Sequence, residues 1–301
     1  MPGTISIDED GAAALAPGLA GERPRERIVP PTAASSPALE PAASAAGAEP
    51  VARTRWWVEA LVIVWLCWVY DAITNLAPLR LHAALAHGEG ILALERNLGI
   101  SPELSLDRWL ASHHTLGLWI SNYYDNAHFI VTLGLLGYVW YRRADIHRPL
   151  RNTLVLVNVI AFAVFLLYPV APPRMLGADG FSDIVASTHA FGSWHTGALA
   201  SAANQLAAMP SLHMAWAGWC GLALWRISPR PWMRALAIVY PCLTAVAVLA
   251  TGNHYVLDVL AGLATLALAV VVCGLWARQS SQNPRNLRTD CHKLVTKSGN
   301  L

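Results

Sequence analysis

Apolar residues gather in six long blocks along the second half and middle of the chain, and polar segments separate the blocks. Blocks of about 20 apolar residues predict transmembrane helices, because a helix needs that length to cross the hydrocarbon core of a bilayer. We therefore predict an all-α polytopic membrane protein, a six-transmembrane-helix bundle. The predicted spans are Trp57–Leu76, Leu116–Tyr141, Leu150–Tyr168, Ser211–Ile227, Trp232–Ala250 and Val256–Ala277.

The segments outside the spans divide the chain into three parts. Residues 1–52 are rich in Ala, Pro, Gly, Glu and Arg and predict a disordered cytoplasmic tail. Residues 53–278 form the predicted membrane catalytic domain, and 279–301 a second disordered cytoplasmic tail. Between the first two spans, His82–Leu98 predicts an amphipathic helix on the outer membrane surface. The other long outer connection, Pro169–Pro210, is a candidate lid or rim for a site.

Arginine and lysine are distributed unevenly between the two sets of loops. One set, which includes both tails, carries most of them, whereas the other holds only Arg80, Arg96, Arg108 and Arg174. The positive-inside rule then places both termini in the cytoplasm. We expect an integral protein of the plasma membrane whose long connections face the extracytoplasmic side.

Composition supports a membrane protein and says less about partners. Hydrophobic residues make up 55% of the chain and charged residues 13%, compared with about 25% charged in a soluble domain. The net charge of +2 is small and by itself says little about partners; we expect the bilayer as a partner and no nucleic acid. The five cysteines form no CxxC pair, which predicts neither a disulfide framework nor a zinc site.

Two short motifs carry the candidate chemistry, and both lie at the outer rim of a predicted span. The first is Pro210-Ser211-Leu212-His213, and the second runs from His254 to Asp258. The chain crosses inward after His213 and returns before His254, so both rings lie at one membrane depth. On a helix, His254 and Asp258 would share one face. This pattern predicts phosphoryl transfer: His254 attacks phosphorus, Asp258 orients it, and His213 protonates the leaving group.

Two further residues are candidate phosphate ligands. A helix that begins near Pro210 offers free backbone N–H groups to an anion, and Ser211 adds a hydroxyl donor. Arg174, at the outer end of the third span, is the candidate clamp for the phosphate. Taken alone, Arg174 also fits an interfacial anchor.

A polar cluster in the second span offers a possible contact to the substrate or acceptor: His128, Asn122 and Tyr124. An interhelical hydrogen-bond cluster explains the same residues equally well. The remaining histidines show no metal-ligand spacing, so we expect no metal and no other cofactor.

A different class of protein also fits the ionisable residues. A membrane transporter or scaffold could use the His/Asp cluster as a proton relay. Many transporters have broken helices in two matching halves, and the sequence shows no such symmetry.

The motifs resemble those of the type 2 phosphatidic acid phosphatase superfamily, and most closely its inositol phosphorylceramide synthase and sphingomyelin synthase-like branch. The resemblance covers about residues 56–277. Three stretches carry it: Tyr168-Pro169-Val170-Ala171-Pro172-Pro173-Arg174, Ala207-Ala208-Met209-Pro210-Ser211-Leu212-His213 and Thr251-Gly252-Asn253-His254-Tyr255-Val256-Leu257-Asp258.

The resemblance implies a six-helix core and a metal-independent phosphohistidine mechanism, with His254 as nucleophile, Asp258 as its partner and His213 as acid. Two basic groups of the phosphatase pattern are absent, because Tyr141 stands at the first-motif Lys position and Val248 at the third-motif Arg position. The synthase-like branch also lacks these groups. We therefore expect a lipid phosphatase or phosphotransferase, and transfer of an inositol-phosphate-like head group is one of the activities that the resemblance implies.

Overall fold

The computed structural model describes residues 54–74, 80–188 and 206–298, all within one compact unit. Regular structure in these ranges is helical, which confirms the all-α prediction. The predicted tail 1–52 lies outside the described residues.

The helices within the described residues are numbered in chain order. They are α1 (Trp56–Thr74), α2 (Leu81–Leu98), α3 (Glu103–Ala111), α4 (His114–Arg142), α5 (Ala144–Leu167), α6 (Ile184–Thr188), α7 (Leu212–Ile227), α8 (Pro231–Ala250) and α9 (Val256–Ser298). Two short 3₁₀ turns, Pro173–Met175 and Gly177–Asp179, lie between α5 and α6.

Three of the described helices are long and apolar enough to cross a membrane. They are α5, α8 and the Val256–Gln279 part of α9, and α1 contains a shorter apolar stretch, Trp56–Tyr70. Helix α7 has 16 residues, fewer than the roughly 20 that a perpendicular crossing needs. Membrane integration is thus supported, whereas the number of crossings stays a prediction.

Two helix boundaries differ most from the sequence prediction. Helix α5 begins at Ala144 rather than Leu150 and continues through Pro149. Proline lacks the N–H that would bond to the carbonyl four residues earlier. That carbonyl belongs to the exposed Asp145, where water can satisfy it. At the other end of the molecule, α9 continues to Ser298, so the backbone is helical over most of the range 279–301.

The core that supports the site is built by α5, α7, α8 and α9: α7 packs on the other three helices, and α9 also packs on α5. Trp219 of α7 is fully buried, and its indole N–H donates to the carbonyl oxygen of Leu150 at 2.8 Å. Glycine lets the helices approach. A Cβ at Gly221 would lie 2.5 Å from the Ala237 carbonyl oxygen of α8, and one at Gly262 would overlap the Ser211 carbonyl of the α7 N-terminus.

Helix α2 corresponds to the predicted amphipathic helix, but its buried face packs on protein. Ala84, Gly88, Ile91 and Glu95 recur at helical spacing on that face, which contacts α9 and the Pro173–Met175 turn. Helices α2 and α3 therefore cover the α9 N-terminus, where the candidate site lies.

Candidate active site

His254 lies in a short turn between α8 and α9. Gly252 makes the turn possible, because its φ of 63° lies in the left-handed region that favours glycine. The backbone N–H groups of Asn253 and His254 both donate to the Val248 carbonyl at 3.2 Å. The turn is thereby tied to the last residues of α8, and the imidazole is 4% exposed.

The hydrogen bond of His254 fixes its tautomer. Nδ1 lies 2.9 Å from the carbonyl oxygen of Ala208. Because a carbonyl oxygen can only accept, Nδ1 carries the proton and Nε2 carries the lone pair. Oδ2 of the fully buried Asp258 lies 3.4 Å from the same Nδ1. The strongest orienting group is therefore the Ala208 carbonyl, with the carboxylate as a second neighbour.

The pairing of His254 with Asp258 differs from the predicted one. The two residues do not share a helical face, because α9 begins only at Val256. Asp258 lies in the first turn of α9, and its Oδ2 accepts the backbone N–H of Tyr255 at 2.9 Å. The contact spans the helix N-terminus, and four-residue spacing alone could not distinguish this arrangement from a helical one.

The second motif forms the N-terminus of α7. Ser211 is the N-cap residue, and its Oγ accepts the Met214 N–H at 3.3 Å. The Ser211 N–H in turn donates to the carbonyl oxygen of Asp258 at 3.1 Å. This bond ties the starts of α7 and α9 together and places the rings of His213 and His254 with centroids 5.6 Å apart. The predicted Ser211 hydroxyl thus has a structural role as a cap.

His213 is enclosed on its other side by α4. Tyr124 stacks on its ring at a centroid distance of 4.4 Å, and His128 meets it edge-on at 4.2 Å. His128 Nδ1 donates to the Tyr124 carbonyl at 3.0 Å, which leaves the lone pair on Nε2. The third predicted contact residue, Asn122, donates its side-chain N–H to the Leu118 carbonyl of its own helix at 2.8 Å.

Arg174 reaches the same site from the Pro173–Met175 turn. Its Nε donates to Asn253 Oδ1 at 2.7 Å, and its Nη1 donates to Asp183 Oδ2 at 3.0 Å. Its backbone N–H donates to the Gly252 carbonyl at 2.8 Å. The guanidinium is thus held beside the turn that carries His254. The predicted lid falls partly on residues 189–205, outside the described ranges.

The family model described as the PAP2 superfamily matches residues 89–272, a range that includes both histidines, Asp258 and Arg174. The chain belongs to the PAP2 superfamily. Searches of the curated proteins and of the solved structures find no match. The superfamily prediction is confirmed, and membership indicates a phosphatase or phosphotransferase.

This PAP2 superfamily member has a small pocket beside His213. Tyr123, Tyr124, His128, Tyr240 and Thr244 contribute polar side chains to its lining. The Tyr123 hydroxyl lies 2.8 Å from Thr244 Oγ1, which joins α4 to α8. Within the described ranges, no group of three His, Cys, Asp or Glu side chains is arranged to hold a metal ion.

Sequence reasoning missed a second set of acidic residues in this PAP2 superfamily member. Glu95 of α2 and Glu103 of α3 are fully buried and hydrogen-bond to the first turn of α9. Asn253 and Asp183, which hold Arg174, were also missed. For Glu95, helical periodicity was the available signal of burial, because this residue continues the buried face of α2.

Proposed function

We propose that this PAP2 superfamily member is a membrane-embedded, metal-independent lipid phosphatase or phosphotransferase that acts through a phosphohistidine intermediate on His254. Its proposed substrate is a phospholipid or lipid phosphate. One observation carries the proposal: two imidazoles lie side by side. His254 has its lone pair on Nε2, and the centroid of the His213 ring lies 5.6 Å from that of His254.

In the first step, the Nε2 lone pair of His254 attacks phosphorus and forms a P–N bond while the P–O bond to the leaving group breaks. Protonated His213 gives its proton to the departing oxygen, so no free alkoxide forms. The cationic character that develops on His254 is stabilised by the Ala208 carbonyl and Asp258, both of which face Nδ1.

In the second step, the acceptor is water or a lipid hydroxyl. Now neutral, His213 takes the proton of the acceptor as its oxygen attacks phosphorus, and the P–N bond returns its electrons to Nε2. Water gives a lipid phosphatase, whereas a hydroxyl gives a head-group transferase. We propose that His128 and Tyr124, which pack on His213, contact the substrate or acceptor.

The phosphate group needs positive charge and hydrogen-bond donors. We propose Arg174 as its clamp, with a guanidinium already oriented by Asn253 and Asp183. Such preorganisation favours binding because little side-chain entropy remains to be lost. The α7 N-terminus, capped by Ser211, adds the partial positive charge of a helix start.

The finer assignment is the inositol phosphorylceramide synthase and sphingomyelin synthase-like branch, which the motif departures at Tyr141 and Val248 support. We also propose six membrane crossings in the plasma membrane, with both termini cytoplasmic and the site at the extracytoplasmic leaflet. The uneven distribution of Arg and Lys supports this orientation.

The test is turnover of a lipid phosphate panel by detergent-purified protein, with and without alcohol acceptors. Release of inorganic phosphate indicates a phosphatase, and formation of a new diester indicates a transferase. The variant His254→Asn keeps an amide donor for the Ala208 carbonyl and lacks the nucleophile. We expect it to lose at least about 10³-fold in kcat and to trap no ³²P-phosphoenzyme from a labelled substrate.

The matched control is His82→Asn, which changes an exposed histidine of α2 and should leave turnover within about twofold. Wild-type turnover by His254→Asn would refute the assignment. A protein that transports a lipid or protons with no phosphoenzyme would instead support the proton-relay class.

A further inference from the structure

Three carboxylates cap the N-terminus of α9. Asp258 Oδ2 accepts the Tyr255 N–H at 2.9 Å, Glu103 Oε1 accepts the Val256 N–H at 3.0 Å, and Glu95 Oε1 accepts the Leu257 N–H at 2.6 Å. The first N–H groups of a helix have no partner within the helix. Here each of three successive groups receives its own carboxylate.

Two of these caps come from far away in the chain. Glu95 and Leu257 are separated by 162 positions, and Glu103 and Val256 by 153. Both glutamates are fully buried, and buried carboxylates are costly unless hydrogen bonds compensate for lost hydration. Ordinary helix capping is achieved by one local Ser, Thr, Asp or Asn, so this arrangement exceeds what helix stability requires.

We propose that Glu95 and Glu103 are positioning residues for the phosphoryl-transfer reaction, which hold the α9 N-terminus and thereby the orientation of His254. This inference builds on the proposed function. His254 lies two residues before α9, so displacement of the first turn moves its ring relative to the Ala208 carbonyl and His213. Neither glutamate touches the reacting atoms in this assignment.

The conformation of the turn depends on contacts from both sides. The adjacent ring of Tyr255 is fully buried, and its hydroxyl donates to the Ala171 carbonyl at 3.0 Å. Gly88 of α2 allows this bond, because a Cβ there would lie 2.8 Å from the Tyr255 hydroxyl. Helix α2 thus contacts both sides of the α9 start: Gly88 lies against Tyr255, and Glu95 accepts the N–H of Leu257.

The two glutamates lie close enough for their charges to interact, and Oε2 of each is buried without a hydrogen-bond partner among the described residues. Burial, together with the charges of Glu103 and Asp258, raises the pKa of Glu95 to about 8. Glu95 therefore keeps a proton at neutral pH. The neighbouring Arg96 is committed to an ion pair with Asp179. Above about pH 8, Glu95 loses this proton, and repulsion between its new charge and those of Glu103 and Asp258 loosens the cap.

The experiment compares Glu95→Gln, Glu95→Ala and Glu103→Ala in the full chain, measuring kcat and KM against pH. Glutamine imitates protonated Glu95: its oxygen can accept from Leu257 and its amide can donate to Glu103. We expect Glu95→Gln to keep neutral activity and to remain active above pH 8, where wild type declines. Each Ala variant should lose about 10- to 100-fold in kcat with KM within about threefold.

The matched control is Glu89→Gln, which changes an exposed glutamate of the same helix and should reproduce the wild-type profile. Hydrogen exchange of residues 253–260 supplies a readout that needs no substrate. Faster exchange in Glu95→Ala, but not in Glu95→Gln or Glu89→Gln, supports the cap.

The outcomes separate this inference from the proposed function. If His254→Asn is inactive while Glu95→Ala and Glu103→Ala keep wild-type kcat and pH profile, the positioning role is wrong and the phosphohistidine proposal stands. If His254→Asn keeps full turnover, the proposed function is wrong. In that case, unchanged exchange at 253–260 in Glu95→Ala would overturn the cap as well.

Discussion

At the scale of single residues, three histidines that look alike in the sequence differ in their surroundings. His254 and His128 each donate from Nδ1 to a backbone carbonyl, so each presents a lone pair on Nε2. His213 lies between them, with ring centroids 5.6 Å from His254 and 4.2 Å from His128. This central position suits a residue that transfers protons to and from oxygens around the phosphorus.

The proposed acid role of His213 predicts a dependence on the leaving group. For a lipid alkoxide, His213→Asn should lower kcat by about 10²- to 10⁴-fold, the usual contribution of general acid catalysis. For a 4-nitrophenyl ester the loss in the first step should be much smaller, because nitrophenolate departs without a proton. Burst kinetics with both substrates measure this step. Equal losses for the two substrates would exclude His213 as the acid.

Arg174 provides a second prediction at this scale. Lysine has no planar fork and cannot replace the Nε and Nη1 bonds to Asn253 and Asp183 together. Arg174→Lys should therefore reduce kcat/KM by about 10- to 100-fold. Arg96→Lys is the control, because its ion pair with Asp179 is exposed and contributes little. Similar kinetics for the two variants would remove Arg174 from the phosphate site.

At the scale of elements, close backbone approach brings the site together. Helix α2 approaches Ala171 and Tyr255 only because Gly88 has no side chain, since a Cβ there would lie 2.7 Å from the Ala171 carbonyl oxygen. Two positions further along the same helix, a Cβ at Gly90 would meet nothing within 4 Å. The two glycines thus offer a matched pair.

We expect Gly88→Ala to lower the free energy of unfolding by about 1–3 kcal/mol, the usual cost of forcing a methyl group into a packed interface. Gly90→Ala should be neutral or stabilising by up to about 1 kcal/mol, because alanine favours the helix. Thermal unfolding in detergent measures both. Equal stability of the two variants would mean that α2 does not pack closely on Ala171 and Tyr255.

Element existence and the motif residues were predictable from sequence, whereas tertiary pairings were not. Apolar blocks and short motifs are local, so the helices and the candidates His213, His254, Asp258 and Arg174 could be found. A glutamate such as Glu95 on an amphipathic helix suggests a solvated face. Its actual partner, the Leu257 N–H, is 162 positions away in the chain. A pattern of neighbouring residues cannot predict a contact over that separation.

At the scale of the whole molecule, a membrane-spanning core and an outer cover of α2 and α3 meet at the buried carboxylates. Burial raises the pKa of Glu95 from 4.5 to about 8 and that of Asp107 from 3.8 to about 6. At any pH between the unfolded and the folded pKa of either group, the folded protein then binds more protons than the unfolded chain. Stability is therefore greatest below the unfolded pKa and is lost as pH rises through the folded pKa.

This loss of stability with rising pH predicts a melting temperature that falls as pH increases from about 4.5 to about 8. Glu95→Gln and Asp107→Asn should each flatten part of that decline, with the Asp107 contribution complete by about pH 6. Thermal unfolding of wild type and both variants across this range checks the prediction. A melting temperature that rises over the interval would contradict the buried, protonated state of these groups.

The long-range caps on α9 also constrain how the protein can assemble during synthesis. Glu95 and Glu103 leave the ribosome about 150 residues before their partners, Val256 and Leu257. Until the last apolar helix arrives, two carboxyl groups lack the backbone donors that make their burial tolerable, so we expect α2 and α3 to stay hydrated and undocked. We therefore expect that the cap, and with it the orientation of His254, forms only when the final helix has been made.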